Sequence, residues 1–422
     1  MLDSTETACR QPLENGLMLR TAADERDVER VAEFNGSIHE PGVAAMTRHL
    51  LLHHPHMRGR DLVFIEEQQS DQILSSLCLI PWTWCYEGVS IPTGEMGIVG
   101  TLETHRNRGL IRAQVEYFKH RLHERGCLLS QIQGIPYFYR QFGYEYALPL
   151  EGGLRLETRH VPTPPDEPFT FRPATLDDLP VLMRLYDEAA QDLAIHTARD
   201  EVTWRYLLTR TQGTEMECET WLIQDVAGQV VGSMRLPKYH FGEELVVNEV
   251  SRLGFEAALE ALYHLKTLTV ERGLPGIRLN LPADCTLMRL ARSLGAYDMG
   301  TYAWQIYVPD ITALLRRLAP ALERRIARSP FAGLTREVRL SLYRETIALR
   351  FKGGKLAEVA NLGNTGWEDI RIPPSPFVPL VLGYRTWEEL HEVYPDAGVA
   401  PAWQLLVGTL FPKVTSFLYT VY

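Results

Sequence analysis

The sequence lacks the features typical of membrane, disulfide-rich and nucleic-acid-binding proteins. Its 422 residues include six scattered cysteines without a Cys-x-x-Cys pair, so neither a disulfide framework nor a zinc site is indicated. No apolar run approaches the roughly 18 residues that cross a bilayer, and the first residues are polar and acidic, unlike a secretory signal. The net charge is −10, whereas proteins that bind phosphate backbones are usually basic. We therefore expect a cytoplasmic protein with no nucleic acid, membrane span or metal.

What the sequence does contain is typical of a multidomain globular protein. It is 45% hydrophobic and 23% charged, and its length exceeds one ordinary core. The proline-rich "VPTPPDEP" at 161–168 indicates a linker. A strand, an arginine and an acidic helix start occur both in "GLMLRTAADERDVERVAEF" and in "FTFRPATLDDLPVLMRLYDEAA" after the linker. This predicts one domain type used twice, with the acidic residues 24–30 on a solvated helix face.

The last part of the chain has a different pattern. "ETIALRFKGGKLAEVAN" predicts a hairpin with Gly353-Gly354 at its turn, and Thr386 with Glu389 predicts a helix start. We expect a first domain at 1–160, a linker at 161–170, a second domain at 171–305 and a third, smaller domain at 306–422.

The segment "THRNRGLIR" at 104–112 contains three arginines and one glycine at the start of a predicted helix. Strands are predicted over 62–101, and a helix from about Leu110 because Ile111, Val115, Phe118 and Leu122 would form one buried stripe. Helix N-termini offer unpaired N–H groups, and Arg106, Arg108 and Arg112 add positive charge. The segment predicts a site for a phosphorylated ligand, although a solvated basic turn is the simpler alternative.

This segment resembles the acyl-CoA-binding segment of the GNAT N-acetyltransferases. The order strand, "VGT", Arg106-x-x-Gly109-x-Ile111 and long helix is similar to their Arg/Gln-x-x-Gly-x-Gly/Ala signature. Ile111 replaces the last small residue, as in the Eis (enhanced intracellular survival) family. "FYRQFGYE" at 138–145 also resembles a segment of that family.

The resemblance implies a fold of the α/β (α+β) class. Eis-like proteins have tandem GNAT-type domains with mixed central sheets, and a C-terminal α+β domain like sterol carrier protein 2. The breaks found above match that order. The resemblance also implies acetyl-CoA as co-substrate, a small-molecule amine as acceptor and a homo-oligomer, a hexamer in the family.

It further implies roles for individual residues. Tyr139 would be the general acid, and the C-terminal carboxylate of Tyr422 the general base. Backbone groups of the strand would hold the thioester, and the arginine-rich segment the pyrophosphate; the implied cofactor-binding residues are Val99, Gly100, Thr101, Arg106, Asn107, Arg108, Gly109, Leu110, Ile111 and Arg112. Without the family, nothing selects Tyr139 over Tyr137 or Tyr144. The apolar tail "KVTSFLYTVY" also fits an ordinary last strand.

The sequence of the second domain lacks this signature. Arg252 and Gly254 stand too close together to replace it, so we expect no acetyl-CoA there and a role in shaping the acceptor pocket. The rival hypothesis is a non-catalytic GNAT scaffold whose third domain binds a lipid or peptide.

Two further clusters have structural and functional interpretations. The histidines of "HLLLHHPHM" include a pair, His49 and His53, at helical spacing, but without a carboxylate at matching spacing we expect a surface or acceptor-pocket role. Trp82 and Trp84 share one face of a strand, where they pack in the core or line the acceptor site.

Overall fold

The computed structural model describes residues 6–164, 168–240, 242–300, 302–366 and 368–422. Elements of the first part of the chain are β1 (Arg10–Pro12), β2 (Leu17–Thr21), α1 (Glu25–Ile38), α2 (Pro41–His53), β3 (Leu62–Glu67), β4 (Ile73–Tyr86), β5 (Val89–Thr101), α3 (Leu110–Glu124), β6 (Leu129–Ile132), β7 (Glu145–Glu151) and β8 (Leu154–Leu156).

Elements of the middle part are β9 (Thr170–Pro173), α4 (Leu179–Ala190), β10 (Ile195–Thr197), α5 (Glu201–Thr209), β11 (Cys218–Gln224), β12 (Val230–Pro237), β13 (Leu245–Val247), β14 (Glu249–Val250), α6 (Phe255–Glu271), β15 (Ile277–Leu279), α7 (Thr286–Ser293), β16 (Tyr297–Asp298) and β17 (Tyr302–Tyr307). Those of the last part are α8 (Ile311–Arg317), α9 (Ala319–Ala327), β18 (Arg336–Ser341), β19 (Thr346–Lys352), β20 (Lys355–Asn361), β21 (Ile370–Arg371), α10 (Pro374–Val381), α11 (Trp387–Val393), β22 (Gly398–Val399) and α12 (Pro401–Leu410).

The first two parts share one topology. The first sheet runs β1-β2-β3-β4-β5-β6-β17-β7, and the second part has β14-β12-β11-β9 and β13-β15-β8-β16. In each, a parallel pair follows the antiparallel strands, β5 with β6 and β13 with β15. A long helix, α3 or α6, lies between the paired strands in sequence. The mixed sheets and the repeated order confirm the expected tandem α/β fold.

The repeat extends to the arginine and acid at each helix start. Arg20 pairs with Asp27 over 3.0 Å, and Arg172 pairs with Asp178 over 2.7 Å. Asp27 also accepts a hydrogen bond from the Ala23 N–H and is only 5% exposed. The expectation that residues 24–30 form a solvated face is therefore wrong at Asp27. Its carboxylate is buried at the start of α1, where it binds Arg20 and the Ala23 N–H.

The sheets cross the domain boundaries drawn from the sequence. β8, placed in the first domain, pairs with β15 of the second. β17 spans the boundary at 305 and returns to the first sheet, where it pairs with β6 and β7. Sequence breaks mark turns and linkers, whereas strand pairing depends on long-range contacts, so a proline-rich segment does not locate these exchanges.

The last part folds as a five-stranded sheet, β20-β19-β18-β21-β22 over the described residues, with helices α8 to α12. Gly353 and Gly354 have φ of +59° and +80° at the turn of the expected hairpin, and Thr386 caps α11 with Glu389. This part packs on the first sheet, where the Tyr86 hydroxyl donates to the Val381 carbonyl over 2.7 Å. Its resemblance to sterol carrier protein 2 stays a prediction.

Among the helices of the described residues, none combines the length and the apolar character that crossing a membrane requires.

Candidate active site

The central strand β5 opens the first sheet at the point where a ligand could enter. β5 pairs with β6 only from Thr93 to Glu95. Further along, the register between β4 and β5 shifts between Ser76 and Cys78, and Ile98 has φ of +48°. A bulge of this kind bends a strand and re-aims its backbone. The end of β5 therefore separates from β6 and leaves its backbone at the edge of a cavity.

Gly100 allows α1 to approach this bulged strand. A Cβ atom built on Gly100 would lie 3.2 Å from Nε2 of His39, tighter than an ordinary contact. The Ser75 hydroxyl donates to the Gly100 carbonyl over 2.9 Å. These contacts fix the strand, and Val99, Gly100 and Thr101 line the cavity together with Ile38 and His39 at the end of α1.

The arginine-rich segment forms a tight junction between β5 and α3. Asn107 has φ of +62°, and Gly109 caps α3 in the left-handed region with φ of +79°. That conformation favours glycine because a Cβ atom would clash with the backbone. Within the described residues no side chain caps this helix start, so the N–H groups of its first turn face the cavity and can bind an anion.

The arginines of the junction are available for a ligand. The Arg106 side chain is 60% exposed, and its nearest acid, Glu103, is 3.7 Å away; an exposed pair of this kind stabilises little. Arg108 and Arg112 are also exposed. Their charges add to the positive end of the α3 dipole, which gives the junction an excess of positive charge.

The cavity has a volume of about 710 Å³ and brings together most of the expected residues. It is lined by Val99, Gly100, Thr101, Arg106, Asn107, Gly109, Leu110, Ile111 and Arg112 together with Tyr139. Arg108 is not part of its lining, and Ile111 is half-buried rather than part of the fully buried stripe. The helix starts at Leu110, so Ile111 lies in the first turn, where its side chain meets the cavity.

The structure distinguishes three tyrosines that the sequence could not rank. Tyr137 is 73% exposed, and Tyr144 is buried with its hydroxyl 2.7 Å from that of Ser130. Tyr139 alone of the three lines the cavity. Burial, helped by Tyr302, raises the pKa of the Tyr139 phenol above its usual 10. The phenol is therefore protonated at neutral pH, and burial alone makes it a weaker proton donor than a free tyrosine. Transfer of its proton to a thiolate would require a positive charge, such as the N-terminus of α3, that stabilises the phenolate.

The loop after β6 holds the Tyr139 ring in place. A Cβ atom on Gly134 would lie 2.3 Å from Cε2 of Tyr139, so glycine is required for the ring to pack there. The Gly134 carbonyl accepts hydrogen bonds from the Tyr302 hydroxyl over 2.6 Å and from Nε2 of Gln305 over 3.1 Å. Strand β17, from the far end of the second part, thus fixes the position of Tyr139.

Tyr422 is buried in the first domain but does not belong to the lining of this cavity. Its hydroxyl donates to Oε1 of Glu95 over 2.8 Å, and its ring meets Trp82 edge-on with 6.1 Å between centroids. Glu95 lies on β5, four residues before Val99. Glu95 is the one charged residue of β5, and this was the only sign of it in the sequence, where its role was not predicted.

Glu95 is a buried acid with an unusual affinity for protons. Burial raises its pKa from 4.5 to about 8, and the hydrogen bond from Tyr422 offsets part of this increase. Carboxyl groups with such pKa values cluster at functional sites. The Glu95 carboxyl is thus largely neutral at pH 7 and anchors the last residue of the chain.

The structure contains a second cavity, with a volume of about 350 Å³. Neighbouring residues line the two cavities: His39 and Ile135 the first, Glu40 and Gln133 the second. Residues 417–420 of the tail also line the second cavity. Burial, and then the charge of Glu40, raises the pKa of Glu215 at its edge. A cation placed here would relieve the repulsion between these two carboxylates.

The histidines and tryptophans of the sequence analysis have structural partners. His49 bonds to the Arg210 carbonyl, and His56 lies 3.1 Å from Asp200. Burial lowers the pKa of His54 to about 3, and Trp82 and Trp84 are core residues. A group of three or more His, Cys, Asp or Glu side chains suited to a metal does not occur in the described part of the chain.

A comparison with known protein families assigns residues 47–147 to the acetyltransferase (GNAT) domain family. This range includes β5, the junction at Gly109 and Tyr139. No curated protein matches the chain significantly in sequence.

Several solved structures share the fold. A probable N-acyltransferase from Enterococcus faecalis is 16% identical with a TM-score of 0.71, over 96% of this chain and 100% of that one. Eis1 from Mycobacterium abscessus is 16% identical with a TM-score of 0.64, also over 96% and 100%. N-myristoyltransferase from Saccharomyces cerevisiae with bound myristoyl-CoA is 9% identical with a TM-score of 0.50, over 71% and 84%.

The domain match and the fold agree with the geometry of the site. The matched domain contains most residues that line the large cavity, with its glycine-capped helix start. The match favours an enzyme over the non-catalytic scaffold. GNAT enzymes transfer acyl groups from acyl-CoA. Residues 47–147 therefore contain an acetyltransferase (GNAT) domain, and the whole chain shares its fold with Eis1 from Mycobacterium abscessus.

Proposed function

We propose that the protein transfers an acetyl group from acetyl-CoA directly to a primary amine. The observation that carries this proposal is the cavity between β5 and α3, with Tyr139 in its wall. The pyrophosphate would bind the first turn of α3 and Arg106 and Arg112. The acyl end would lie along Val99, Gly100 and Thr101, whose backbone would stabilise the oxyanion.

The second cavity is the proposed acceptor site. Residues adjacent in sequence line the two cavities, His39 and Ile135 the first and Glu40 and Gln133 the second, and we expect an amine bound in the second cavity to reach the thioester. The carboxylates of Glu40 and Glu215 favour a cationic ligand by Coulomb attraction. This supports an amine as the class of acceptor, and the aminoglycoside, polyamine and lysine-type amines all belong to it.

Two groups would move the protons. The attacking nitrogen must lose a proton, and the C-terminal carboxylate of Tyr422 is the proposed base. The thiolate that leaves as the C–S bond breaks must gain a proton, and the buried phenol of Tyr139 is the proposed acid. The attacking amine forms the new C–N bond, so no acyl-enzyme is needed.

Tyr139→Phe tests the acid. We expect kcat to fall about 100-fold, the usual contribution of a general acid, with little change in the KM for acetyl-CoA. Tyr144→Phe is the matched control because it removes a buried phenol that does not line the cavity. A Tyr139→Phe enzyme with wild-type kcat would remove Tyr139 from the mechanism.

The oligomeric state is a separate prediction. We expect a hexamer from the family resemblance, and light scattering coupled to size-exclusion chromatography measures it. A monomer at micromolar concentration would contradict it.

A further inference from the structure

The final residues of the chain, 415–422, cross from the second domain into the first. The Ala194 N–H donates to the Thr415 carbonyl over 2.8 Å, and the Phe417 N–H donates to the Ile195 carbonyl over 3.0 Å. Phe417 and Tyr419 are buried in a cluster of second-domain side chains. Tyr422 then enters the core of the first domain. The tail therefore depends on both domains for its position.

Arg199, from the second domain, makes a hydrogen bond to this tail two residues before its end. Its Nε donates to the Thr420 carbonyl over 2.9 Å. The guanidinium, whose side chain is fully buried, lies 4.6 Å from the Tyr186 ring centroid and 4.8 Å from that of Trp204. A buried arginine held between two aromatic rings has little freedom to move. The Thr420 carbonyl is thus fixed to a rigid part of the second domain.

Glu249 compensates the charge of Arg199. Nη1 of Arg199 donates to Oε1 of Glu249 over 3.0 Å. Arg235 approaches the other oxygen of Glu249 at 3.5 Å and is equally buried. Among the hydrogen bonds of the described residues, Arg235 has none with the tail, whereas Arg199 has one. The two arginines therefore form a natural comparison: the same partner, similar burial, and contact with the tail by only one.

We propose that the second domain positions the C-terminal carboxylate of Tyr422, with Arg199 as the positioning residue. This rests on the proposed role of that carboxylate as the base. Thr420 is two residues from Tyr422, a span of at most about 7 Å. Fixing its carbonyl confines the carboxylate, and a misplacement of about 1 Å in a reacting group can cost about 100-fold in rate. The domain without the acyl-CoA signature thereby gains a function in the reaction.

The test compares Arg199→Met with Arg235→Met. We expect Arg199→Met to lower kcat at least tenfold while the KM for acetyl-CoA and its calorimetric affinity stay within about twofold, because the acyl-CoA cavity lies in the first domain. Arg235→Met should keep wild-type kcat despite a similar loss in Tm. Equal kcat values in the two variants would overturn the proposal.

Arg199→Lys is a second variant that still tests the proposal if Arg199→Met does not fold. Lysine retains the charge beside Glu249 but cannot reproduce the fork of the guanidinium. We expect kcat about threefold or more below wild type, above that of Arg199→Met. Wild-type kcat in Arg199→Lys would contradict the positioning role.

A variant with two glycines added after Tyr422 separates this inference from the proposed base. If the extension lowers kcat about 100-fold while Arg199→Met and Arg199→Lys do not, only the positioning role is wrong. If the extended enzyme has wild-type kcat, the base is wrong and the positioning role falls with it.

Discussion

Helices α3 and α6 follow equivalent strands in the two repeated domains, yet their first turns differ. Gly109 before α3 has φ of +79°, and Gly254 before α6 has φ of −68°. The arginine near α3, Arg106, has only a distant acid at 3.7 Å, whereas Arg252 near α6 pairs with Asp192 over 2.6 Å. One start is open for an anion, and the other uses its arginine to bind the protein itself. A shared fold therefore does not imply a shared site.

Two buried acids show the same contrast. Burial raises the pKa of Glu95, and hydrogen bonds, that from Tyr422 first, offset only part of the increase. Burial also acts against the ionised form of Glu249, but the charges of Arg199 and Arg235 outweigh it and hold the pKa of Glu249 below 4.5. The first domain keeps a neutral carboxyl on β5, the strand whose end lines the cavity, and the second keeps an ion pair whose arginine binds the tail.

The largest expected effect concerns these acids. Because Glu95 binds its proton up to about pH 8 when folded and up to 4.5 when unfolded, stability falls as pH rises through this window, by up to about 1.4 kcal/mol per pH unit. Glu95→Gln, which stays neutral and can still accept from Tyr422, should flatten the fall. The measurement is urea denaturation at pH 6, 7 and 8.

Glu249→Gln is the control for Glu95→Gln, because it removes a buried carboxylate that is ionised rather than neutral. It leaves two buried arginines without their counter-charge and should destabilise by about 3–5 kcal/mol at pH 7. If Glu95→Gln and wild type have parallel stability profiles between pH 6 and 8, the neutral carboxyl is wrong.

The next largest effect concerns the two glycine caps. Gly109→Val should weaken acetyl-CoA binding roughly 100-fold, because a β-branched residue strains the left-handed conformation and the junction loses its charge-assisted hydrogen bonds. Gly254→Val is the matched control: a Cβ atom meets no neighbouring atom within 4 Å at either position, but only Gly109 has a positive φ. Calorimetry measures both affinities, and equal affinities would contradict the site.

The smallest effect separates the arginines. Arg112→Gln should weaken acetyl-CoA binding about tenfold and reduce its dependence on salt, as the loss of one exposed phosphate contact predicts. Arg252→Gln should leave the affinity for acetyl-CoA unchanged, because Arg252 lies in the second domain and pairs there with Asp192. Calorimetric titrations at two salt concentrations distinguish the variants, and they also count acetyl-CoA sites, for which we expect one per chain. Two acetyl-CoA sites per chain would contradict the prediction that only the first domain binds acetyl-CoA.

The sequence was informative where a local pattern carries the meaning. Spacing and backbone preference identified Gly109, the Gly353-Gly354 hairpin, the Thr386 helix start and the buried α3 residues Val115, Phe118 and Leu122. The same reasoning assigned the strands β8 and β17 to the wrong domains, because their pairing partners are far away in the chain. It also predicted that Asp27 is exposed, whereas Asp27 is buried beside Arg20.

By itself the sequence determined the repeat and the glycine-arginine junction, since each depends on periodicity or on residues close together in the chain. The fold class followed from the family resemblance that this junction carries. Tertiary structure decided which tyrosine lines the cavity and gave Glu95 its raised pKa. It also brought Arg199 to the Thr420 carbonyl. These properties depend on burial and on the distance between groups hundreds of residues apart, and neither quantity is written in local sequence.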